Sequence, residues 1–374
     1  MKGNCAVIHL TLIPYLSASG ELKTKPTQHS VKTLLEAGVQ PDILVCRTER
    51  HLNKDIRNKI ALFCNVSPDA VIESIDAKTI YEVPLLMREE NLDKVVLDKL
   101  NMPLNTKLNL KNWMDFVKKL KNPKTTIKIG LIGKYVELKD AYKSIAESIT
   151  HAAVANECHV QLERIHSEKI NNGNASEVLG GLNGILVAPG FGERGVEGKI
   201  EAVKYARENG VPFLGICLGM QCAVIEYGRN VLGLNDAHTT EIFPDTPHPV
   251  IDLMENQKKV TSKGGTMRLG SYKCRIIKNS FAHACYKTAE ITERHRHRYE
   301  FNNKYLEEYA KSGMIASGIN PASGLVEIVE INDHPWFVGV QFHPEYKSTV
   351  AKPHPIFVNF VKMAVSVSAT IASA

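Results

Sequence analysis

A cysteine stands between two glycines where an apolar run gives way to a helical pattern. Val211-Pro212-Phe213-Leu214 leads into Gly215-Ile216-Cys217-Leu218-Gly219, and Met220-Gln221-Cys222-Ala223-Val224-Ile225-Glu226-Tyr227 follows. This is the sulfur form of a nucleophile elbow, in which glycines make room for a strained turn that presents the side chain. A thiol at a helix start also feels the positive end of the helix dipole, which favours the reactive thiolate. Taken alone, the motif reads also as a small buried hydrophobe beside a turn. A second constellation, His343-Pro344-Glu345, closes the apolar run Trp336-Phe337-Val338-Gly339-Val340-Gln341-Phe342. There an imidazole can take the thiol proton and a carboxylate two residues on can orient the imidazole. By itself that triplet reads as a surface loop. Placed after strands of one sheet, the two motifs share a rim and form a Cys-His-Glu triad.

Between these groups and the start of the chain lies Gly190-Phe191-Gly192-Glu193-Arg194-Gly195, which matches the dinucleotide fingerprint G-x-G-x-x-G. The next strand of such a fold should end in an acidic residue for the ribose, whereas this one ends in Cys217. The loop reads better as one wall of an oxyanion hole, a backbone N–H near Gly190 acting with that of Leu218.

The elements that must position these groups form two α/β series. Residues 6–12 and 42–46 read as buried strands, with a helix from Ser30 to Gly38 between them. Helical patterns continue to Leu100, and a lysine-rich stretch ends in Lys121-Asn122-Pro123-Lys124. The second series runs through Ile127–Ile132, Gly184–Val187, Val211–Ile216 and Trp336–Phe342. Strands alternating with helices predict a mostly parallel sheet covered on both faces, with ligands at the carboxyl ends of its strands. The expected division is residues 1–122, residues 123–365 and a tail over 366–374.

A chain of 374 residues, 44% hydrophobic and 23% charged, has room for two cores. Its apolar stretches are strand-length and MKGNCAVIHL lacks a signal-peptide pattern, so neither membrane nor export is indicated and a cytosolic protein is expected. The formal charge of +6 is spread without a basic stripe, which favours anionic small molecules over nucleic acid. Eight cysteines show no CxxC pair and no zinc spacing, so most read as reduced core residues and no metal site is expected from them.

The strand followed by GICLGMQ, the GFG loop before it and the late FHPE resemble the class I (triad-type) glutamine amidotransferases. Resemblance extends to the CTP synthase family through Gly133-Lys134-Tyr135-Val136-Glu137-Leu138, Asp140-Ala141-Tyr142-Lys143-Ser144, Gly264-Gly265-Thr266-Met267-Arg268-Leu269-Gly270 and Glu293-Arg294-His295-Arg296-His297-Arg298-Tyr299-Glu300. It implies that Cys217, His343 and Glu345 release ammonia from glutamine. It further implies that Gly190, Leu218, Gly219, Met220, Gln221, Glu241 and Arg298 hold the substrate, the Arg298 fork on its α-carboxylate. Read bare, RHRHR is a solvated edge strand or a His-x-His metal site. Where many members carry Pro-Gly-Gly-Phe-Gly this chain has Ala188-Pro189-Gly190-Phe191-Gly192, and Pro189 has no N–H to offer an oxyanion.

The first domain resembles the carboxyl-terminal part of the family's P-loop-type amidoligase domain. There Lys23, Thr24, Lys25, Pro26, Thr27 and Gln28, preceding a helix, and Lys59 would face the UTP or CTP triphosphate, while Ile75, Asp76 and Ala77 would meet the ATP base. Read bare, KTKPTQ is a solvated loop. No G-x-x-x-x-G-K-[ST] occurs in the chain and no magnesium ligands are identifiable. The resemblance therefore implies a member without the amino-terminal ATP-binding portion, through truncation, a split gene or a mispredicted start, whose isolated chain is at most a glutaminase. For the complete enzyme it implies ATP and Mg²⁺, UTP amination to CTP, CTP as feedback inhibitor, GTP as activator through the loop containing Arg194 and Glu197, and a homo-tetramer. The competing reading is a non-catalytic regulatory or assembly module.

Overall fold

The computed structural model describes residues 4–104, 108–138, 140–253 and 267–373. Gly264, Gly265 and Thr266 of the signature named above lie outside them. The chain separates into two compact units, Met1–Val117 and Lys118–Ala374.

The first unit holds a three-stranded parallel sheet in the order β1 (Ile8–Ile13), β2 (Ile43–Thr48), β3 (Val71–Ile75). Ile13, Leu44, Cys46 and Val71 pack with Val31 and Ile60 from helices α1 (Lys25–Glu36) and α2 (Lys54–Cys64). Helix α1 starts five residues before the Ser30 that the sequence pattern suggests, so Lys25, Pro26, Thr27 and Gln28 lie in its first turn rather than ahead of it. Pro26 occupies a position whose N–H has no acceptor within the helix, so the missing donor costs nothing there. On β1 the alternate residues Ile8, Leu10 and Leu12 are exposed.

The second unit is built on a nine-stranded sheet. Its parallel part comprises β4 (Thr125–Gly133), β5 (Cys158–His166), β6 (Gly184–Val187), β7 (Phe213–Ile216) and β12 (Phe337–Val340). The antiparallel part adds β8 (Arg268–Ile276), β9 (Glu290–His297), β10 (Met314–Ile319) and β11 (Val326–Ile331). The order is β9-β8-β10-β11-β12-β7-β6-β4-β5. Because side chains alternate along a strand, Ile185, Val187 and Phe213 join one core layer while Leu186, Leu214 and Ile216 join the other. Both layers are apolar, which is why these strands read as unbroken hydrophobic runs. Helices α4 (Val196–Glu208) and α5 (Leu218–Asn230) cover the first face; α3 (Lys143–Ala155) and α6 (Pro355–Ser373) cover the second.

Candidate active site

Cys217 sits between β7 and α5 with φ 53° and ψ −104°, a conformation that costs an L-residue about 1–3 kcal/mol. Its N–H donates to Val340 O at 2.7 Å, prolonging the ladder with β12, and its C=O accepts from Gln221 N at 3.1 Å, opening the helix. Pinned at both ends, the backbone cannot relax out of the turn. The flanking glycines are required by packing: a Cβ on Gly215 would lie 2.7 Å from the Gly219 backbone, and one on Gly219 would lie 2.2 Å from Val187 O. Cys217 is buried, and so is Cys222 one turn along α5, where burial pushes the Cys222 thiol up to about 12.

His343 follows β12, its N–H donating to Arg294 O of β9 at 2.8 Å. Its Nδ1 lies 2.7 Å from Glu345 Oε1, and both residues are buried. Among the described residues Nε2 has no hydrogen-bond partner, which leaves it free for a reacting atom. Burial disfavours the imidazolium, but interaction with the Cys217 sulfur and the Glu345 carboxylate outweighs it and holds the ring above the ordinary histidine range. The arrangement can carry a thiolate, an imidazolium and an orienting carboxylate in sequence. A cavity of about 370 Å³ borders His343 and Glu345, with Tyr142, Gly190, Phe191 and Arg296 also in its lining.

The GFG loop is fixed by two lysines whose placement the sequence did not reveal. Lys134, six per cent exposed, donates through Nζ to Phe191 O. Lys199 is fully buried and donates to Ala188 O at 2.6 Å; burial depresses it to about 8, with Lys134 lowering it further and the Cys222 and Cys217 sulfurs acting the other way. The last glycine of the apparent dinucleotide fingerprint has a packing cause: a Cβ on Gly195 would meet Ser167 Oγ at 2.3 Å, just as one on Gly198, beyond the fingerprint, would meet Ser167 O at 1.8 Å. Gly190 stands against Leu218, the side-chain Cδ2 of which lies 3.5 Å from where a Cβ would be. The Leu218 N–H opens α5 and has no acceptor within the helix, as an oxyanion donor requires.

The residues expected to hold glutamine converge from three directions. Glu241 accepts from Gly192 N at 3.1 Å, so it touches the GFG loop. Arg298, one residue beyond β9, is half-buried, and its Nε has no partner among the described residues. Burial raises the Tyr299 hydroxyl; Glu241 raises it further and Arg298 opposes, which places both charges near that ring. Leu218, Gly219 and Met220 are buried, so the first helical turn offers backbone N–H groups rather than side chains. Gln221 donates through Nε2 to Tyr299 O at 2.9 Å and to Gln341 Oε1 at 3.2 Å.

The four residues of RHRHR that precede Arg298 lie on the edge strand β9, with Arg294 and Arg296 outward and His295 and His297 inward. His295 Nδ1 and His297 Nε2 are 2.9 Å apart, and Arg268 Nη2 donates to Glu327 Oε1 at 2.7 Å. Burial drives the His295 and His297 imidazoles down, to about 2 and about 3, and raises Glu300 to about 8. The inward histidines are thus neutral members of a buried network, and among the described residues no cluster of His, Cys, Asp or Glu is arranged to hold a metal ion.

Of the residues linked to regulation, Arg194 lies over the Tyr135 ring at 5.0 Å, and Glu197 pairs with Arg229 at 2.8 Å. In the first unit the expected nucleotide residues fall in three places: residues 23–28 run into the first turn of α1, Lys59 lies within α2 and Ile75–Ala77 close and follow β3. Lys23 pairs with Glu21, whose carboxyl is lowered first by that bond and also by the charge of Lys59. Thr27 is fully buried, its hydroxyl donating to Leu12 O and accepting from Thr11, and Gln28 donates to Thr24 Oγ1. Ile75 ends β3, and Asp76 beyond it pairs with Arg47 at 3.1 Å and precedes Ala77.

Two family models match: glutamine amidotransferase class-I over residues 137–363 and CTP synthase N-terminus over residues 1–102. The CTP synthase of Flavobacterium johnsoniae is 64% identical over 365 residues, covering 98% of this chain and 68% of the relative. That of Clostridium acetobutylicum is 54% identical over 365 residues, with the same coverage of 98% and 68%. Among solved structures, the glutaminase domain of Trypanosoma brucei CTPS with bound acivicin matches with TM-score 0.61 at 36% identity, covering 64% of this chain and 94% of that one. No described helix is long and apolar enough to cross a membrane.

Proposed function

The chain belongs to the CTP synthase family of glutamine-hydrolysing ligases, and on that premise we propose that residues 123–365 form its glutaminase domain, with Cys217, His343 and Glu345 as the triad. The observation that carries this reading is the strained Cys217 turn facing the buried His343–Glu345 pair. Cys217 passes its proton to His343, and the thiolate attacks the side-chain amide carbon of glutamine. Charge developing on the amide oxygen is taken by N–H groups near Gly190 and at Leu218. His343 gives its proton to the departing nitrogen, the C–N bond breaks and ammonia leaves. Water, deprotonated by His343, then cleaves the S–C bond of the thioester and releases glutamate, restoring the thiol. Gly190, Leu218, Gly219, Met220, Gln221, Glu241 and Arg298 bind the substrate, the Arg298 fork on its α-carboxylate.

Residues 1–122 belong, in the same reading, to the amidoligase domain, where the ammonia would aminate UTP at the expense of ATP. Lys23–Gln28 and Lys59 would meet the triphosphate of UTP or of CTP acting as inhibitor, and Ile75–Ala77 the adenine. The described residues of this chain offer no ligand cluster for the magnesium ion that accompanies ATP. Activation by GTP near Arg194, a homo-tetramer in the complete enzyme and a cytosolic setting extend the proposal by family likeness.

A glutamine analogue carrying a diazo-ketone tests the assignment. Peptide mapping is expected to find the label on Cys217, with ammonia release from glutamine lost in parallel. Label on Cys222 instead would remove Cys217 from the mechanism.

A further inference from the structure

Gln341 is fully buried one residue beyond β12, and the resemblance gave it no role. Its backbone N–H donates to Glu327 O at 2.8 Å, which fixes where its side chain begins. The side-chain amide lies between two partners: Oε1 is 3.2 Å from Gln221 Nε2, and Nε2 is 3.7 Å from Cys217 Sγ. The orientation follows from the chemistry of the neighbours. Tyr299 O, 2.9 Å from the Gln221 side chain, only accepts, so Gln221 must turn its amino group there. That same group then donates to Gln341 Oε1, which leaves the Gln341 amino group facing the sulfur.

On another side of the sulfur, 3.9 Å away, stands Arg296 O, an acceptor that suits a thiol and repels a thiolate. The charged groups acting on the sulfur are the His343 imidazole, backed by Glu345, from the segment after β12, and the Lys199 ammonium from α4. Neither of those positive groups is held by the Tyr299–Gln221–Gln341 chain. We propose that Gln341 is a further catalytic residue, which donates an N–H to the Cys217 thiolate and fixes its direction, with Gln221 as the positioning residue that sets the amide. Donation to a charged acceptor is stronger than to a neutral one, so the contact favours the reactive form of the sulfur. The inference rests on Cys217 being the nucleophile.

The test is the pH dependence of Cys217 alkylation by iodoacetamide in the full 374-residue chain, followed by peptide mapping. Gln341→Met keeps the length and removes the donor. It is expected to slow alkylation about tenfold at pH 7, with the profile displaced about one pH unit to the alkaline side. Gln341→Glu keeps the shape and turns an acceptor to the sulfur, so a larger displacement is expected, and it decides the matter if the methionine variant does not fold. A wild-type profile in a folded variant overturns the role of Gln341. Failure of wild-type Cys217 to alkylate ahead of Cys222 overturns the nucleophile assignment instead.

Discussion

Nδ1 of His343 and Oε1 of Glu345 lie 2.7 Å apart, and both residues are buried. The contact fixes which ring nitrogen faces the carboxylate and leaves Nε2 for the sulfur and the substrate. Glu345→Gln keeps the shape but removes the charge that helps hold the imidazolium. The ring is then expected to lose its proton at lower pH than in the wild type, and kcat/KM for glutamine to fall on the order of 10³-fold. Steady-state ammonia release across pH 6 to 9 is the measurement; an unchanged profile would leave Glu345 a merely structural residue.

Arg298→Lys retains a positive charge while losing the two-point fork. KM for glutamine is expected to rise about tenfold or more, with Cys217 alkylation by iodoacetamide unaffected, because the arginine meets the substrate rather than the sulfur. Equal KM values in the two proteins would assign Arg298 to another ligand.

Gly219→Ala places a methyl 2.2 Å from Val187 O, a backbone atom that cannot swing away. The start of α5 must shift off β6, costing about 1–3 kcal/mol, and the Cys217 turn shifts with it. Thermal unfolding is expected to show a lowered Tm, and the diazo-ketone analogue to label Cys217 more slowly. Wild-type values for both would mean that the elbow tolerates a wider spacing.

Lys199 is depressed by burial from 10.5 to about 8. Between those pH values the folded chain binds fewer protons at this site than the unfolded chain, so wild-type stability rises with pH through the window. The buried ammonium costs about 3 kcal/mol at pH 7 on this account. Relative to Lys199→Met, the wild type is expected to gain stability between pH 8 and pH 10 in urea unfolding. A pH-independent difference between the two proteins would show that burial does not perturb this lysine.

The sequence by itself was enough for the features that depend on local spacing. Glycines on either side of Cys217, a histidine two residues before Glu345 and the alternation of apolar runs with helical patterns each act over a few residues, so their meaning survives without the fold. The parallel strands were legible because both of their faces are buried, which removes any polar alternation from β6, β7 and β12. Helix α1 was legible in its middle but not at its start, since Pro26 reads as a break until the first turn is seen to need no donor from it. The tertiary structure alone decided the rest. Gln341 meets Cys217 across 124 positions, and Lys134 meets Phe191 across 57, so neither contact leaves a trace in local sequence. Gly195 of the false dinucleotide fingerprint answers to Ser167, a neighbour created only when α4 packs against the segment after β5. Burial gives such pairings their chemistry: a lysine and a glutamine amide become site components only where water is excluded, and exclusion of water is a property of the packed sheet and its helices.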